Sequence, residues 1–122
     1  MKTLVLILIL NITALASCYK VGNFKGVSAY KYKNYEIVKD GITGRVFNIN
    51  TDKDKASVQP SNIECIALNR LSLVCLSDSG NGATMETWLI NGNKVQYTKS
   101  VTGNNNFDSV KLFIGDVLGS CN

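Results

Sequence analysis

Nucleophilic catalysis near neutral pH most often recruits a histidine as base, and this chain contains none. That removes Ser-His and Cys-His activation and imidazole-based metal sites. Carboxylate pairs remain, since glycoside hydrolysis needs only two acids about 5–10 Å apart across a cleft. The candidates are Glu36, Asp40, Glu64, Asp78, Glu86, Asp108 and Asp116, and their spacing singles out no pair. Asn48, Asn50, Asp52 and Asp54 could offer oxygens to calcium, but the glycine and distal glutamate of an EF-hand loop are missing. Lys53 and Lys55 also repel a cation there. Gly80-Asn81-Gly82 and the pair Gly22 and Gly26 are not phosphate loops, because no helix signal and no Gly-Lys-Ser/Thr follows them. The reading is a non-enzymatic protein with no catalytic residue, cofactor or metal ion.

The most suggestive cluster is basic and aromatic. Tyr30, Lys31, Tyr32, Lys33 and Tyr35, with Lys25 nearby, form a candidate binding surface. Such residues together grip sugars or acidic polymers through ring stacking and charge. In a strand, however, Tyr30 and Tyr32 would share one face and Lys31 and Lys33 the other. That alternation would split the patch, leaving half-buried tyrosines and solvated lysines.

The cysteines take their meaning from the chain start. Met1-Lys2 precedes an apolar run from Leu4 to Leu10 and then Ala14-Leu15-Ala16-Ser17-Cys18. A basic start, a short apolar stretch and small residues at a cleavage point are the layout of a secretory signal peptide over residues 1–17. Asn11 and Thr13 interrupt the run, well short of the about 20 apolar residues of a membrane span. Leu15-Ala16-Ser17-Cys18 also matches a lipoprotein box, in which Cys18 would carry lipid. Ordinary cleavage leaves four cysteines, an even number suited to two disulfides in an oxidising compartment. Lipidation would leave three and an odd thiol. The expectation is therefore a secreted, extracellular protein, with a lipid-anchored surface lipoprotein of structural or inhibitory role as the alternative.

Four cysteines allow three pairings. A three-residue hairpin loop at Asn69-Arg70-Leu71 would set Cys65 opposite Cys75, where Cβ atoms are close enough to bridge. Cys18 then pairs with Cys121 and clasps the two ends of the domain. No C-x-x-C occurs and the spacings do not form a zinc site.

The elements that must position these residues are short β-type runs. Residues 18–122 carry twelve Lys and Arg against nine Asp and Glu, too mild a basic excess to argue for nucleic acid. Their length suits one domain. Runs are expected at Phe24–Tyr32, Tyr35–Lys39, Thr43–Asn50, Asn62–Leu68, Ser72–Ser77, Ala83–Ile90, Asn93–Thr98 and Val110–Ile114, the last continued by Asp116–Leu118. Asp40-Gly41 reads as a turn, and Asn91-Gly92 as a type I′ hairpin that sets Trp88 opposite Val95 with Trp88 facing the core. Seven to nine strands at this spacing, without helical periodicity, predict an all-β fold. It is read as a small antiparallel β-sandwich, with a small closed β-barrel as the alternative.

The turns near 40–44, 51–61, 78–82 and 103–106 are where such a scaffold would present recognition loops. The function expected is a binding or interaction module whose partner is a surface protein or a polysaccharide. No nucleic acid is expected, and no membrane unless Cys18 is lipidated. A barrel with an apolar cavity would favour small-ligand carriage instead.

Overall fold

The computed structural model describes residues 17–121. The expected leader lies outside the described residues, apart from Ser17. Nine strands are present among the described residues: β1 Cys18–Tyr30, β2 Ile37–Ile42, β3 Phe47–Asn50, β4 Ser57–Gln59, β5 Glu64–Asn69, β6 Ser72–Asp78, β7 Ala83–Asn91, β8 Lys94–Val101 and β9 Ser109–Ser120. All pairings are antiparallel, in the order β4-β3-β1-β9-β8-β7-β6-β5, with β2 also paired to β1. The ends β4 and β5 come into contact, so the sheet is nearly closed as a barrel. Both expected architectures fit this all-β geometry.

The core follows from alternation. On β7 and β8, Glu86, Trp88, Ile90, Val95 and Tyr97 point inward and are buried. Trp88 lies directly opposite Tyr97, with ring centroids 4.0 Å apart. Phe24 sits edge-on to Phe47, Trp88 and Tyr97 at 5.7–5.9 Å. Such edge-to-face contacts suit the ring quadrupoles. Side chains thus fill the interior, as in other small barrels.

Phe24 reaches that position through a bulge. Gly22 pairs with Asp116 and Lys25 with Ile114, so Asn23 and Phe24 together oppose Gly115. Asn23 takes positive φ, 58°, and a Cβ on Gly115 would come within 2.6 Å of the Phe24 ring. The bulge explains why β1 starts at Cys18 and not at Phe24: Gly22-Asn23 has the composition of a turn but bends a continuous strand.

Three further expectations are corrected. The Asn91-Gly92 turn is displaced by one residue: Asn91 pairs with Lys94, leaving Gly92-Asn93 as the loop. Gly92 has φ 62° and Asn93 does not share it, which is the type II′ pattern. Trp88 therefore faces Tyr97 and not Val95, but the pairing moves by two residues, so the inward and outward faces are kept. Asp40-Gly41 is no turn and lies inside β2, where the Asp40 carboxylate accepts the Gly41 N–H and the Ser28 hydroxyl. Thr43–Asn50 contracts to β3, with Gly44 at φ 72° turning the chain ahead of it.

Both disulfides form as expected. Cys65 opposes Cys75, Cα atoms 4.0 Å apart, although the loop is Arg70-Leu71 and a bulge between Ala67 and Asn69 absorbs the extra residue. Cys18 is bonded to Cys121, Cα atoms 5.0 Å apart. Near that clasp, the Thr51 hydroxyl donates to the Arg70 carbonyl at 2.7 Å, tying the β3–β4 loop to the β5–β6 turn. Two such bridges fit an oxidising compartment. Among the described residues no helix is long and apolar enough to cross a membrane.

Candidate functional site

The strand expected through Tyr32 ends at Tyr30. Lys31–Lys33 form a 3₁₀ turn, and Asn34 and Tyr35 both take positive φ, 54° and 58°. Asparagine tolerates that conformation, and Asn34 was the available signal for a turn. Tyr35 does not tolerate it readily. It is held by its N–H donating to the Tyr30 carbonyl at 2.9 Å, while Lys31 N–H donates to Asp108 O at 2.9 Å. Two consecutive left-handed residues, one of them bulky, store strain at an exposed position.

The alternating-face expectation for Tyr30, Lys31, Tyr32 and Lys33 is therefore overturned. A 3₁₀ turn gathers what a strand would separate. The Tyr30 and Tyr32 rings lie 5.3 Å apart, and Tyr32 lies 6.1 Å from Phe107, which comes from the β8–β9 connection. Lys33 Nζ is 5.7 Å from the centre of the Tyr32 ring. Lys111 Nζ, from β9, is 4.6 Å from the Tyr30 ring centre and also donates to the Tyr30 hydroxyl. Tyr32 is 51% exposed and Phe107 64% exposed, so both rings are open to solvent. Lys31 and Tyr35 are exposed on the same turn. Phe107 is the member that sequence reasoning missed, because nothing local links it to a segment more than 70 residues away.

Behind this aromatic knuckle, a polar row runs across the inner wall. Ser28 pairs with Lys111, Lys111 with Lys99, Lys99 with Glu86, and Glu86 with Cys75. Two lysines directly opposite one another repel. Each has an acid beside it: Lys111 Nζ lies 3.4 Å from Asp40, and Lys99 Nζ 3.7 Å from Glu86. The Ser28 hydroxyl donates to Asp40 at 2.6 Å, and this bond, with the Gly41 N–H and Lys111, holds the Asp40 carboxyl below its ordinary range against the opposing effect of burial. Buried Glu86 accepts from Trp88 Nε1 at 3.2 Å. Burial, and then the charge of Glu86, push the Tyr97 phenol well above its usual range. The acids on this wall thus stand beside lysines and hydrogen-bond donors.

The row opens into a cavity of about 310 Å³, lined among others by Arg45, Phe47, Glu86, Trp88, Tyr97 and Lys99. A larger hollow of about 550 Å³ lies at the β1 bulge, but there Asp116 is already engaged by Lys94 at 2.6 Å and by Asn23 at 3.1 Å. Those two bonds hold the exposed Asp116 carboxyl below its ordinary range.

Three further acids serve the backbone. Asp52 accepts from Asp54 N–H, Asp78 from Gly80 N–H, and Asp108 from Asn104 N–H at 2.6 Å. Asn50 accepts from Asp52 N–H in the same way. Of the oxygens considered for calcium, those of Asn50 and Asp52 are thus used in turns, and among the described residues no group of three His, Cys, Asp or Glu could hold a metal ion. The outward positions of β9, β7 and β5 carry exposed apolar residues, including Leu112, Ile114, Met85 and Ile66. Comparison with family models, curated proteins and solved structures finds no match to this chain.

Proposed function

We propose that this chain is a secreted, non-enzymatic binding module that holds a polysaccharide on its aromatic knuckle. The observation that carries this reading is the set of Tyr30, Tyr32 and Phe107 rings, gathered from the end of β1 and two connections and flanked by Lys33 and Lys111. Solvent-facing rings beside cations suit sugar faces and polar substituents together. The backbone strain at Tyr35 supports the same reading, because a fold keeps such strain where it serves a surface.

The leader sequence and the two disulfides support export. The bridge to Cys121 occupies the Cys18 sulfur that a lipid anchor would use, which favours the unanchored form over the lipoprotein. The filled interior argues against small-ligand carriage.

The test is an array of oligosaccharides and cell-surface proteins probed with the disulfide-bonded protein, followed by calorimetry on Tyr32→Ala and Phe107→Ala. Oligosaccharide binding should weaken about tenfold or more in each variant, since one stacked ring contributes about 1–3 kcal/mol. Binding to surface proteins with no oligosaccharide bound would replace this reading with a protein partner.

A further inference from the structure

We infer that the polysaccharide is acidic, and that the cavity between Arg45 and Lys99 seats its anionic group, a carboxylate or a sulfate ester. This inference rests on the knuckle reading and specifies its substrate. The cavity has the two features of a ligand site, aromatic walls from Phe47, Trp88 and Tyr97 and a few convergent charges, at a volume of about 310 Å³. Its charges are two cations, Arg45 and Lys99, against one anion, Glu86.

Their bonding states differ. Glu86 is buried and engaged by Trp88 Nε1, so it is spoken for. Lys99 has an ion pair to Glu86 at 3.7 Å, too long for a hydrogen bond, so among the described residues no hydrogen bond takes its three N–H donors. Arg45 rests its guanidinium 5.2 Å from the Phe47 ring centre, and among the described residues it has no ion pair. Guanidinium stacked on a ring is held in place while its N–H donors stay available for a planar oxyanion. Two cations with unused donors, brought by separate elements to one cavity mouth, define an oxyanion site.

The path to the knuckle is continuous. Lys99 lies directly opposite Lys111, and Lys111 covers Tyr30, whose ring packs on Tyr32. A sugar chain stacked on Tyr32 would pass Lys111 before reaching the cavity.

Calorimetry of the disulfide-bonded protein with three oligosaccharides of equal length tests this: an oligogalacturonide, a sulfated galactan fragment and a neutral cello-oligosaccharide. At least one acidic ligand should bind more tightly than the neutral one, and the stronger arm separates carboxylate from sulfate. R45Q and K99Q should each weaken the acidic ligand about tenfold to a hundredfold and leave the neutral one unchanged. Arg45 is exposed and has no ion pair among the described residues, so R45Q keeps the test valid should K99Q disturb Glu86. On addition of the acidic ligand, the backbone amide resonances of Arg45 and Lys99 should shift. Equal affinity for acidic and neutral ligands, or an unchanged acidic affinity in R45Q, overturns this site while the knuckle reading stands. Absence of binding to all three overturns both.

Discussion

At the residue scale, polar side chains on the inner wall engage one another. Asp40 illustrates how closely that can be read. Its carboxyl lies below the ordinary value of 3.8, first because of the Ser28 hydroxyl, with the Gly41 N–H and Lys111 adding to it and burial opposing it. A carboxyl whose folded value is depressed binds its proton less readily in the folded chain than in the unfolded one. Its contribution to stability is therefore present above the unfolded value and lost as pH falls through the folded value. Ser28→Ala should move the Asp40 titration upward and shrink the loss of stability below about pH 4 that Asp40 contributes. Carboxylate NMR titration of both proteins, with urea denaturation at a series of acid pH values, checks the two halves of that expectation. Ser28 is buried on the inner face of β1, so its hydroxyl is placed by the sheet register and not by local sequence.

At the scale of elements, the informative positions are the turns. The 3₁₀ turn after β1 trades backbone comfort for presentation, with Tyr35 at φ 58°. Glycine adopts that conformation without steric cost. Tyr35→Gly should therefore raise stability by about 1 kcal/mol while leaving oligosaccharide affinity no better than before. A gain in the urea midpoint paired with unchanged or weaker calorimetric binding is the expected result; a loss of stability would mean that the Tyr35 ring, and not its backbone, holds the turn. The hairpin from β7 to β8 shows the opposite tolerance. Asn91-Gly92-Asn93 can turn about either central pair, and the structure uses Gly92-Asn93. Because the alternatives differ by an even number of residues in register, Trp88 reaches the core in both.

For the whole molecule, closure is the main requirement. The sheet ends at β4 and β5, and Thr51, which reaches Arg70, ties the loops beside them, while the Cys18–Cys121 clasp fastens the start of β1 to the end of β9. The clasp spans 103 residues, whereas Cys65–Cys75 spans 10. In the chain-entropy model a loop of about 100 residues is worth about 4.7 kcal/mol and a short one of about 15 residues about 3 kcal/mol. C18A/C121A should lower unfolding free energy more than C65A/C75A, and urea denaturation of the two double variants gives the comparison directly. An equal or smaller loss for the clasp would show that packing between β1 and β9 already restrains the ends.

The amino-acid sequence by itself determined the β class and the inward face of Trp88, favoured the two cysteine pairings and named the tyrosines and lysines that the 3₁₀ turn gathers. Each of these depends on local periodicity, turn chemistry or the parity of cysteines, which operate within about ten residues or through simple counting. Tertiary structure alone decided the near-closure of the sheet, the addition of Phe107 to the knuckle and the placing of Arg45 and Lys99 on one cavity. It also decided that Gly22-Asn23 bends a strand and that Asp40-Gly41 continues one. Those outcomes depend on partners far along the chain: Gly115 opposite the bulge, Ser28 beside Asp40 and Asp108 above Lys31. A turn-forming composition lowers the cost of bending the backbone, but the neighbouring strand decides whether the bend becomes a turn, a bulge or a straight run.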